Sequence, residues 1–205
     1  LNAPALSGQG PHLGVATTFL DSLSAGDKLQ VAVRPSNAAF SLPADPESTP
    51  GIYIAAGAGI APFRGFIQDR VRMLSAGRKV APAILFFGCR SPDEDDLYRE
   101  ELDEWQFVGA IDVRRAYSRA PEKSEGCKHV QDRIWKDRAD VVDLWLRGAK
   151  VFVCGSKGVA ESAKEVLVKT KVDFDQQKGN NTTEDSTRQR LEELKNIRYV
   201  ADVFD

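Results

Sequence analysis

The chain has 205 residues, 42% hydrophobic, 28% charged and 8% aromatic, the balance of a folded globular protein and not of a disordered, collagen-like or membrane-spanning one. Its 28 Lys and Arg against 30 Asp and Glu leave a formal net charge of -2, which excludes a broad footprint for nucleic acid or an anionic membrane and makes any anion site local. Cys89, Cys127 and Cys154 are odd in number and far apart, fitting neither a disulfide framework nor a zinc site, so no metal and a reducing, cytoplasmic location are expected.

Residues 1–50 read differently from the rest. Gly8, Gly10, Pro11 and Gly14 break the chain early, Val15 to Leu23 reads as a short helix, and Ser24 to Asp27 as a turn. Leu29 to Val33 alternates apolar and polar like a half-buried strand, followed by the apolar run Phe40 to Pro43 and a Pro-rich turn to Pro50. That is too little for a domain, so residues 1–50 are expected to be the tail of a β-rich domain, and the start at Leu1 a cut or processed one.

From Gly51 the pattern alternates strand and helix. Ile52–Ala56, Ala83–Phe87, Ile111–Ala116 and Val151–Cys154 are strand-length apolar or β-branched runs, three of them nearly continuous, as when helices cover both faces of a parallel sheet. Between them, Phe63, Phe66, Ile67, Val71 and Leu74 form one apolar stripe on a helix that starts at Pro62 and ends near Gly77. Further helices are expected over 94–107, 130–146 (in one piece or two), 159–172 and 184–196, with a polar loop over 174–183 and a last strand over 198–204. No stretch approaches the ~20 apolar residues of a membrane span. The alternation predicts a doubly wound α/β domain over 51–205, whose ligand site lies beyond the carboxyl ends of its strands.

Those strand ends carry the candidate chemistry. Gly57-Ala58-Gly59-Ile60-Ala61-Pro62 joins a strand to a helix; its glycines serve either a tight turn alone or the close approach of a phosphate to the helix start. Ser118-Arg119, with Lys128, His129 and Gln131 shortly after, is either a solvated loop or a set of donors for a phosphate. Arg90 either meets a phosphate or pairs with the acidic run Asp93 to Asp96, which reads as a solvated first helical turn. Cys154-Gly155 is either a small buried hydrophobe or a functional thiol. His12 and His129 lie near no Gly-x-Ser-x-Gly elbow and no metal-ligand partner, so hydrolase and metalloenzyme chemistry have little support.

Taken in order, Gly14-Val15-Ala16-Thr17, Gly57 to Phe66, Phe87 to Asp95, Ser118-Arg119, Val130-Gln131, Val153-Cys154-Gly155 and Arg198 to Phe204 resemble the NADP-binding module of the diflavin reductase branch of the ferredoxin-NADP reductase family. Within it the resemblance is closest to NADPH-cytochrome P-450 reductases fused to a fatty-acid-hydroxylating haem monooxygenase in fungi and bacteria. It implies an NADPH-dependent flavoprotein oxidoreductase. NADPH passes hydride to FAD, and electrons go on through FMN to haem, with the FAD, FMN and haem domains as partners in the same parent chain.

The resemblance also implies residue roles. Gly14, Val15, Ala16 and Thr17 would cradle the FAD pyrophosphate, while Gly57, Ala58 and Gly59 would face the nucleotide. Ser118, Arg119, Lys128 and His129 would hold the 2′-phosphate of NADP, with Gln131 beside them and Arg90 along the nucleotide. Cys154 and Asp202 would flank the nicotinamide, and Phe204 would stack on the flavin. The sequence departs from the family pattern at Ala58 (usually Thr or Ser), His129 (often Tyr) and Phe204 (often Trp). The family's Arg-x-Tyr-Ser flavin segment is absent from the 205 residues, so this chain alone is expected to hold FAD weakly and to be inactive or weakly active. The alternatives are a catalytically silent NADP(H)-binding module, the reductase part of a sulfite reductase or nitric oxide synthase-like flavoprotein, and a stand-alone dehydrogenase. The last is disfavoured because no acid-base partner accompanies Cys154.

Overall fold

The computed structural model describes residues 3–4, 11–12, 14–32 and 39–204. Gly8, Gly10 and Val33 of the sequence reading lie outside them. The chain forms two compact units, Leu1–Pro35 and Ser36–Asp205.

In the first unit Ala3–Pro4 pairs antiparallel with Pro11–His12, and a helix spans Val15–Asp21 with Gly14 as its N-cap. A turn follows in which Asp27 accepts the Ser24 N–H at 2.8 Å. The strand expected from Leu29 is not formed: residues 29–32 have no regular structure and are exposed, Val31 to 75%. Alternation makes a strand only where a partner strand takes its hydrogen bonds, and none lies beside these residues among those described in this unit.

The second unit is a three-layer α/β domain. Its elements are β1 (Gly51–Ala56), α1 (Ala61–Ser75), β2 (Ala83–Cys89), α2 (Arg99–Phe107), β3 (Asp112–Tyr117), α3 (Val130–Lys136), α4 (Arg138–Leu146), β4 (Lys150–Gly155), α5 (Lys157–Gln177), α6 (Glu184–Glu193) and β5 (Tyr199–Val203). The sheet order is β3-β2-β1-β4-β5, and every pairing is parallel. From β1 the chain builds outward through β2 and β3, then returns to the other side of β1 for β4 and β5. The direction of winding therefore reverses between β1 and β4, where such sheets open a crevice at their carboxyl ends.

Strands buried on both faces explain the continuous apolar runs. Residues 51–55 of β1 and 83–87 of β2 are all buried. One face packs on α1 and α2 through Tyr53, Phe63, Ile67, Leu85, Phe87 and Leu102. The other packs on the later helices through Ile54, Phe86, Ile134, Leu144 and Val166. Phe40, Tyr53, Phe63, Phe66 and Phe152 form an aromatic cluster with ring centroids 5.3–6.0 Å apart, each fully buried ring contributing about 1.5–3 kcal/mol. Phe40 sits in a bend and not in a strand, yet it is only 7% exposed and anchors the approach to β1.

Three other expectations are corrected, and one that was left open is decided. The second helix starts at Arg99, not Glu94, because residues 92–97 form a turn and Tyr98 takes φ of 58°. The fourth runs from Lys157, capped by Ser156, to Gln177, which moves Phe174 and Asp175 out of the expected loop. The last helix stops at Glu193, before Asn196 with φ of 61°. The third resolves into two pieces broken at Asp137, whose carboxylate accepts from Arg133 Nε at 2.6 Å and lies 3.2 Å from Arg114 Nη1.

Candidate functional site

Gly57 to Ile60 form one 3₁₀ turn between β1 and α1. Gly57 has φ of 54°, the left-handed region that glycine occupies without cost. Gly59 is required for a second reason: a Cβ there would lie 2.1 Å from the Cys154 carbonyl oxygen and 2.7 Å from its carbon. This glycine lets the β1–α1 turn close against the end of β4, across the switch point.

The ends of β2 and β3 stay together past the sheet. The Ser118 N–H donates to the Cys89 carbonyl at 2.9 Å, and the Arg119 N–H to the Arg90 carbonyl at 2.8 Å. Arg90 and Arg119 are thereby adjacent although 29 positions apart (119 minus 90). Beside them opens a cleft of about 270 Å³ whose lining includes Gly57, Arg90, Ser118, Lys128, His129 and Gln131. Six of the sequence candidates thus meet at one place. Ala58, Gly59 and Arg119 flank it without lining it, and Gly14 to Thr17 belong to the first unit. A second cavity of about 180 Å³ lies among Val141, Trp145, Leu167 and Leu191, with none of the candidates in its lining.

The charge arrangement corrects the reading of the acidic run. Asp95 also lines the cleft, and its Oδ1 accepts the backbone N–H groups of Arg90 at 2.7 Å and Ser91 at 3.2 Å. Its Oδ2 accepts Arg90 Nε at 2.9 Å. Burial pushes the Asp95 carboxyl up, but these hydrogen bonds outweigh it and hold the group below the usual carboxylate range. The same bond, with the charge of Asp95, raises the Arg90 guanidinium. Glu94 reaches Arg119 at 3.1 Å and Arg90 at 3.6 Å, and Asp93 reaches Lys123 at 3.3 Å. The Asp96 side chain is buried and accepts from Tyr117 Oη at 2.9 Å. The run is therefore a structured turn clamped to the ends of β2 and β3, not a solvated helical turn. The signal available in the sequence was its proximity to Arg90.

Lys128 and His129 are exposed at the start of α3. The His129 N–H donates to Asp132 Oδ2 at 2.8 Å, whereas Lys128 has no carboxylate within 4 Å among the described residues. A free ammonium beside Ser118 and two arginines is a donor set suited to a phosphate, with planar guanidinium groups for paired bonds and a compact cation for charge.

Cys154, Asp202 and Phe204 meet at the end of β4 and β5. Cys154 and Asp202 are register partners, and the Phe204 N–H donates to the Gly155 carbonyl at 3.1 Å. The Cys154 thiol is 3% exposed, and burial, with the negative charge of Asp202, pushes it up to about 11. It is a neutral thiol at physiological pH and no thiolate nucleophile. Asp202 and Phe204 are exposed.

A doubly wound parallel sheet, a glycine turn at its switch point and a cationic cleft at the strand ends define a dinucleotide-binding module. The chain belongs to the oxidoreductase NAD-binding domain family, whose model matches residues 53–165. It is 58% identical over 205 residues to a bifunctional cytochrome P450/NADPH–P450 reductase of Fusarium oxysporum, covering all of this chain and 19% of that protein. It is 59% identical over 169 residues to a self-sufficient cytochrome P450 monooxygenase of Phanerodontia chrysosporium, covering 82% of this chain and 16% of that one. With a bifunctional cytochrome P450/NADPH–P450 reductase of Acremonium egyptiacum it shares 44% over 207 residues. The chain spans less than a fifth of the length of these relatives.

Proposed function

We propose that this chain is the NADP-binding part of a reductase that, in its parent protein, passes hydride from NADPH to FAD and electrons onward through FMN to a haem monooxygenase. The observation that carries this reading is the convergence of Arg90, Ser118 and Lys128 on one cleft at the carboxyl ends of the strands, with Arg119 held beside Arg90. The donor set fits the 2′-phosphate that distinguishes NADP from NAD. Ser118, Arg119, Lys128 and His129 hold it, Arg90 and Gln131 line the path of the nucleotide, and Gly57 to Gly59 let the backbone approach it.

Bound there, NADPH supplies a hydride. The neutral, buried Cys154 thiol offers an uncharged surface beside the ring. The exposed Asp202 carboxylate favours the positive charge that develops as hydride leaves. Phe204, 46% exposed, would stack on the flavin where the nicotinamide must enter.

FAD is a different case. Within this chain its candidate holders are Gly14 to Thr17, at the start of a helix with no buried residue. These residues do not by themselves fit the flavin. Residues 1–50 are read as the end of the FAD-binding domain and 51–205 as the NADP-binding domain, with FAD, FMN and haem domains as partners in the parent chain. No helix among the described residues is long and apolar enough to cross a membrane, and we assign the protein to the cytoplasm.

The test is calorimetric titration of the 205-residue chain with NADP and NAD. NADP is expected to bind more tightly, and Arg119→Ala to weaken NADP by about tenfold while leaving NAD within about twofold, the size of one charge-assisted contact. Equal affinity for the two nucleotides would refute the assignment.

A further inference from the structure

The two guanidinium groups beside the cleft are already engaged. Arg119 Nη1 lies 3.1 Å from Glu94 Oε2 and 3.5 Å from Oε1, and the same Glu94 oxygen lies 3.6 Å from Arg90 Nε. One carboxylate therefore lies against both arginines. The turn's other carboxylates are bound differently. Asp95 holds two backbone N–H groups and cannot leave without undoing the turn. Asp93 pairs with Lys123, and the Asp96 side chain is buried against Tyr117 and Arg115. The Glu94 side chain bonds no backbone group, is 45% exposed, and has only the two arginines as partners among the described residues. Of the turn's two carboxylates that hold no backbone group, Asp93 and Glu94, only Glu94 lies against Arg90 and Arg119.

Resting on the nucleotide reading above, we propose that Glu94 is a specificity-determining residue: its carboxylate, lying against Arg90, occupies Arg119 in place of the 2′-phosphate and sets how much more tightly the 2′-phosphorylated nucleotide binds. A dianionic phosphate can displace a monoanionic carboxylate because it offers more charge and more acceptor oxygens to the same donors. Removing the Glu94 charge frees Arg119 and takes a like charge away from the phosphate. A nucleotide without that phosphate gains little, because it presents no group to Arg119.

The test is titration of the 205-residue chain with 2′,5′-ADP and with 5′-ADP, at low and at high salt. Glu94→Gln is compared with the natural sequence and with Glu193→Gln, a control in which Glu193 pairs only with Arg190 on α6 among the described residues. Glu94→Gln is expected to tighten 2′,5′-ADP by about three- to tenfold and to leave 5′-ADP within about twofold, with the gain shrinking as salt rises. Glu193→Gln should change neither. Glu94 is exposed, so the fold should tolerate Gln; an unchanged thermal midpoint checks this, and Glu94→Ala should reproduce the gain. If the natural chain binds 2′,5′-ADP and neither Glu94 variant binds it more tightly, or if both ligands gain equally, the role of Glu94 is overturned while the nucleotide reading stands. If the natural chain fails to distinguish the two ligands, the nucleotide reading falls and this one with it.

Discussion

Gly59→Ala tests whether the β1–α1 turn must touch the end of β4. In the structure the added Cβ would lie 2.1 Å from the Cys154 oxygen, 2.7 Å from its carbon and 3.1 Å from the Gly155 nitrogen. All three are backbone atoms of a strand hydrogen-bonded on both sides, so no side chain can rotate away and the turn or the strand must move. Overpacking a rigid site costs about 1–3 kcal/mol, and the upper part of that range applies when only backbone can yield. For a chain of this size about 1 kcal/mol shifts the thermal midpoint by roughly 2–4 °C, so a fall of about 4–12 °C is expected by circular dichroism. Gly65→Ala is the matched control: Gly65 lies in α1, is exposed, and its added Cβ meets nothing within 4 Å. Relieving a helix-interior glycine should stabilise by about 0.5–1 kcal/mol. If both variants shift the midpoint alike, the close approach at Gly59 is not what the structure says it is.

Two pH predictions follow from the site. Cys154 is held up to about 11 by burial, above the ~8.5 of an unfolded thiol. Its contribution to stability is therefore complete below about 8.5 and lost as pH rises toward 11, where the unfolded chain has already released its proton. Cys154→Ala should flatten the alkaline fall of the midpoint, and an unchanged slope would contradict the burial argument. Asp95 behaves in the opposite sense. Its folded-state carboxyl is depressed, so its contribution is complete above the ordinary ~3.9 of an unfolded aspartate and is lost as pH falls through the lower folded value. Asp95→Asn should shallow the acid limb of the stability profile, read from urea midpoints across pH; an identical limb would show that the turn does not depend on that charge.

Much of the domain was legible because its physics is local. Covering both faces of a parallel sheet requires continuous apolar runs such as 52–56 and 83–87, and a helix packing one face requires the spacing of Phe63, Phe66 and Ile67. Gly57 and Pro62 mark a strand-to-helix turn by their own backbone preferences. Other features depend on partners remote in the chain. Arg70, which no motif in the sequence singles out, is 1% exposed, donating to the Ala110 carbonyl at 2.7 Å and also to that of Ala81. The helix predicted from Glu94 gives way to a turn because its carboxylates find Arg90 and Arg119 just past neighbouring strand ends and Lys123 in the 3₁₀ turn that follows β3.

By itself, then, the sequence determined the succession of strands and helices along the chain, the parallel character of the sheet and the residue types at its carboxyl ends. Backbone preference and hydrophobic period act within a few residues, and so can be read from a string. Only the tertiary structure decided that Gly59 abuts Cys154, that Arg90 and Arg119 stand side by side, and that Glu94 lies against both. Those contacts join segments tens of residues apart, and their existence depends on strand order and register, which no local preference encodes.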